Sequence, residues 1–124
     1  MAAQAHHGLG LLHASHDAAR AIAHLREAAR RGPTDADVRN DLGYALLRAG
    51  RYPEALPELA TAVELAPASE KARNNLLLLL IARGDEAAVD RVVREAAVPA
   101  ATVSRLRQQA RALNAPRGAG GSQP

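Results

Sequence analysis

The chain has 124 residues, room for one domain with a single core. It lacks Cys, Phe and Trp, and its 48% apolar content is mostly Ala and Leu. That composition favours helix packed on helix and excludes disulfides, thiolate metal sites, cysteine nucleophiles and lipid attachment through cysteine. The net charge of +3 comes from sixteen basic and thirteen acidic residues, interspersed as on a solvated surface except at 104–124, where Arg105, Arg107, Arg111 and Arg117 stand without an acid.

Residues 1–15 carry neither a basic lead nor a long apolar run, so no signal peptide is expected in this chain. Residues 2–35 read as a first pair of helices, the second with the apolar stripe Ala21, Ile22, Leu25 and Ala28. A second pair follows over 36–69. Thr34-Asp35-Ala36-Asp37 resembles a capping box, Gly50 ends the first helix, Pro53 suits the first turn of the next, and Pro67 follows its end. The stripe recurs as Ala55, Leu59, Ala62 and Val63.

A third pair spans 70–99. Leu76–Ala82 is an apolar run far shorter than the roughly 20 residues of a membrane span and reads as a buried helix. Val89, Val92, Val93 and Ala96 repeat the stripe. Over 100–113, Val103, Leu106, Ala110 and Leu113 line one side among Arg and Gln, as expected of a capping helix that closes a stacked array. The Gly, Pro, Ser and Gln of 114–124 predict a disordered tail.

A shift of 34 residues lays Arg39-Asn40-Asp41-Leu42 over Arg73-Asn74-Asn75-Leu76 and Gly50 over Gly84. The unit at 36–69 resembles the tetratricopeptide pattern W-x2-L-G-x2-Y, A-x3-F, P: Leu42-Gly43, Leu46, Ala55, Leu59 and Pro67 take its places. Gly43 and Ala55 are small where helices must approach closely. Arg39 stands where the pattern has an aromatic, Leu77 replaces the glycine of the third unit, and Leu9 and His16 replace two glycines of the first. The resemblance covers about 2–113 and implies an all-α solenoid of three helix-turn-helix repeats with a capping helix, a single repeat domain over 1–113.

Asn40–Gly50, with Lys71–Leu76 and Arg83–Ala88, is more narrowly similar to the TadD family of Flp (tight-adherence) pilus assembly. That similarity implies a bacterial assembly factor, periplasmic or outer-membrane associated; without it, a cytoplasmic regulatory or chaperone-like repeat protein is the alternative.

In such an array the first helix of each repeat offers its exposed face to a peptide or protein partner. The candidate contacts are Asp37, Asn40, Asp41, Tyr44 and Arg48 in one repeat and Lys71, Asn74, Asn75 and Leu78 in the next. Asn amides donate and accept, so they can pair with an extended backbone whatever its sequence. Lys71, Asn74 and Asn75 invite comparison with a carboxylate clamp, but the first unit offers His6, His7, Gly10 and His13 at the matching places. His13 and His16 have the i, i+3 spacing of a metal pair, without cysteine support. Arg105, Arg107 and Arg111 could meet phosphate, yet no aromatic stands by to stack on bases. No nucleophile, phosphate-loop or HExxH signature occurs, so neither catalysis nor a cofactor is expected. Self-association through the uncapped first repeat would cover its apolar end.

Overall fold

A computed structural model of the chain describes the backbone over residues 6–114 and side chains from residue 16 to 114; the tail expected to be disordered lies outside the described residues apart from Asn114. Six helices follow one another: α1 His6–Arg31, α2 Ala36–Arg48, α3 Tyr52–Leu65, α4 Glu70–Arg83, α5 Glu86–Ala96 and α6 Ala100–Asn114. No strand occurs among the described residues. The fold is an all-α, tetratricopeptide-like one. None of its helices is long and apolar enough to cross a membrane among the described residues.

The helix starts keep the sequence period. α2 and α4 begin 34 residues apart, as do α3 and α5. Their signals repeat too, since the Asp35 carboxylate accepts from Val38 N–H at 3.2 Å and the Ser69 hydroxyl accepts from Ala72 N–H at 3.1 Å. The cap of α2 is thus Asp35, one residue beyond the Thr34 of the expected capping box. Gly50 and Gly84 both take the left-handed conformation (φ +77°) that lets each first helix stop and turn.

The first pair of helices does not form. Residues 6–31 make one continuous helix of 26 residues. The cause lies in the turn: His16 occupies the place of Gly50 and Gly84, and Ala19 that of Pro53, so the breakers that end and restart the helices elsewhere are missing at these two positions.

Packing divides the chain into two compact units, Met1–Pro67 and Ala68–Pro124, within the span that the sequence treats as one repeat domain. In the first, α2 packs on α1 and, most extensively, on α3. Ile22, Leu42, Leu46, Ala55, Leu59 and Ala62 are buried there. A Cβ placed on Gly43 would lie 2.5 Å from Leu59 Cγ and 3.2 Å from the Leu59 backbone nitrogen, so this glycine sets how closely α2 and α3 approach.

In the second unit α4 packs on α5 and α6. Leu77, Leu78, Leu79 and Leu80 are all buried, which in a helix means apolar surroundings on every side. Leu106 and Ala110 of α6 are buried as well, and a bidentate pair from Arg107 to Glu86 (3.0 and 2.8 Å) ties α6 to α5.

Candidate functional site

Residues 37, 41, 44 and 48 recur at steps of four, three and four, which places them on one face of α2. Asp37, Asp41 and Arg48 are exposed there and Tyr44 is half-buried. Asp37 in the first turn and Arg48 in the last also complement the helix dipole, so their presence has a structural cause. Tyr44 has no such role. A partly exposed aromatic between charges is the residue type that anchors protein interfaces.

Asn40 does not belong to this face. It is 3% exposed and has an interaction partner within the protein, so its burial withdraws it from an incoming backbone. Burial without that partner would cost about 1–3 kcal/mol. Leu78 is likewise withdrawn, at 0% exposure, because α4 is apolar all round at that level.

Of the remaining α4 candidates, Lys71 is exposed and Asn74 and Asn75 are half-buried. Asn74 Oδ1 accepts from Arg73 Nε at 3.1 Å and from an Nη at 2.8 Å. Asp41, Lys71 and Asn75 each have an interaction partner within the protein.

Carboxylate–guanidinium pairs organise the rest of the described surface. Glu54 accepts from Arg51 at 2.7 and 2.8 Å and from Arg26 at 2.7 Å, and these contacts hold its carboxyl below the ordinary range, Arg51 most strongly. Glu27 is held down by Arg30 and then Arg31, and Glu86 by Arg107. With Arg107 so engaged, the basic stretch of α6 keeps Arg105 and Arg111 as its exposed cations. His16 and His24 are exposed, whereas the side chains of His6, His7 and His13 lie outside the described residues. No group of three metal-ligating side chains occurs among the described residues.

The part of the first unit that composition does not announce is the cluster of Arg26, Arg39 and Glu58. Arg39 Nη1 reaches Glu58 Oε1 at 2.8 Å and its Nε donates to the Pro33 carbonyl at 3.0 Å. The sequence signal for it was the arginine at the aromatic position of the repeat pattern.

Two comparisons with known proteins bear on this surface. The tetratricopeptide repeat family profile matches residues 12–74, half of the chain. A TPR repeat-containing protein of Pseudomonas aeruginosa is 42% identical over 115 residues, which are 92% of this chain and 47% of the relative. The chain thus spans about half the length of that relative.

Proposed function

The chain belongs to the tetratricopeptide repeat family, and from that premise we propose that it holds a protein or peptide partner on the exposed face of α2 without catalysing a reaction. Repeats of this family generally mediate protein–protein interaction, and its members are typically non-catalytic scaffolds. The observation that carries the reading is Tyr44, set half-buried between the exposed Asp41 and Arg48 on a face that the core of the first unit does not use. An aromatic ring there offers apolar area at small entropic cost, and the flanking charges select among partners. The exposed Lys71 and half-buried Asn74 and Asn75 of α4 are proposed as a second contact region.

The partner we propose is a component of the Flp pilus assembly machinery. Support comes from the similarity over residues 40–50, 71–76 and 83–88, and from the bacterial source of the 42% identical relative.

A pull-down from a bacterial envelope extract tests this, with the tagged chain beside Tyr44→Ala/Arg48→Ala. Both substitutions lie outside the core, so helicity by circular dichroism should match the parent. The expected result is capture of pilus or secretin components by the parent and their loss with the variant. Equal capture by the two chains would remove the α2 face as the site, and capture of cytoplasmic proteins alone would remove the pilus assignment.

A further inference from the structure

A cavity of about 250 Å³ opens in the first unit, bounded by α1, the turn after it, α2 and α3. Its apolar lining is Ala29, Leu42 and Pro33, and its polar lining is Arg26, Arg30, Arg39 and Glu58. The cause is visible in the sequence. Arg39 stands where the repeat pattern has an aromatic, and its guanidinium is drawn to Glu58 and the Pro33 carbonyl, so a thin aliphatic chain occupies space that a ring would fill.

The charge around this cavity does not balance. Three guanidiniums, Arg26, Arg30 and Arg39, and one carboxylate, Glu58, line it, an excess of two positive charges in the lining; beside it Arg26 and Arg51 share Glu54, and Arg30 and Arg31 share Glu27. Those carboxylates fix the guanidiniums in place without using up their donors, since each arginine carries five N–H groups, of which Arg39 spends two in hydrogen bonds. The α2 face at the other side of the helix carries Asp37 and Asp41, which would repel an acid. The volume is below the ~300–1,000 Å³ of small-molecule sites and suits one side chain.

We propose that this cavity receives a glutamate side chain from an acidic segment of a protein partner, its stem against Ala29, Pro33 and Leu42 and its carboxylate among Arg26, Arg30 and Arg39. Arginine suits the task because its planar fork matches a carboxylate with paired hydrogen bonds. The surface is separate from the Tyr44 face and stands or falls independently of it.

Fluorescence anisotropy of the full chain with a labelled hexaglutamate peptide, and hexaglutamine as the neutral control, tests the proposal. Hexaglutamate is expected to bind and hexaglutamine not, with affinity falling as salt is raised. Arg26→Gln and Arg30→Gln, at side chains 38% and 68% exposed, should each weaken binding about tenfold, the loss of one charge-assisted contact. Arg20→Gln removes the same charge from α1 at an exposed site that does not line the cavity, and it should bind as the parent does. Absence of hexaglutamate binding would overturn the proposal. So would equal weakening by Arg20→Gln, or loss confined to Arg105→Gln and Arg111→Gln, which would put the anion on α6.

Discussion

Arg39 and Arg73 stand one repeat apart, and each guanidinium takes the partner its own repeat supplies. Glu58 waits for Arg39; its counterpart for Arg73 is Val92, and Arg73 turns instead to the neighbouring Asn74. The two asparagines that follow diverge in the same way, Asn40 buried and Asn74 half-buried. Equivalence by period was plain in the sequence, but exposure was not, because it depends on what the second helix of each repeat brings. Asn40→Ala is therefore expected to act on stability. It should lower the unfolding free energy by about 1–3 kcal/mol in urea titrations by removing a buried amide together with the interaction it makes. A variant of unchanged stability would return Asn40 to the list of contact residues.

At the scale of the helix, punctuation told most of the story. Glycine at 50 and 84 and proline at 53 and 67 marked where helices stop and start, and the absence of such residues at 16 and 19 is why α1 runs on unbroken. The reading of two helices there gave the repeat more weight than the missing breakers. The end of α5 was harder to foresee, since Ala97 takes a left-handed turn (φ 52°) that glycine would make at less cost, while Val98 N–H closes on the Val93 carbonyl at 3.0 Å. Close packing followed composition. A Cβ on Gly43 would meet Leu59 directly, whereas Leu77 at the matching place is fully buried in a unit where α4 packs on both α5 and α6. Gly43→Ala gains about 1 kcal/mol in helix propensity but forces repacking that costs about 1–3 kcal/mol. Because the Leu59 backbone nitrogen is among the atoms met, the net outcome should be a loss of about 1 kcal/mol in chemical denaturation, and a stabilised variant would show that α3 yields freely.

For the molecule as a whole, charge separates the units: residues 6–67 hold seven basic and eight acidic side chains, residues 68–114 eight and five. Within the first unit the acids Asp37 and Asp41 and the arginine cluster take different sides of α2, so the two surfaces proposed here should favour different ligands. The all-α fold was legible in the 34-residue spacing and the family in the resemblance of residues 36–69 to its pattern, because close helix packing demands particular residues at particular intervals. Exposure was less legible than spacing, since solvent-facing positions obey no packing rule: of the nine nominated residues Asn40 and Leu78 are buried, and the other seven are exposed or half-buried. The most direct measurement is site-specific photocrosslinking in an envelope extract, with benzoylphenylalanine at position 44 in one chain and at position 105 in another. Partner adducts from position 44 and none from position 105 are the predicted result. Adducts from position 105 alone would move the binding surface to α6 and contradict the assignment to α2.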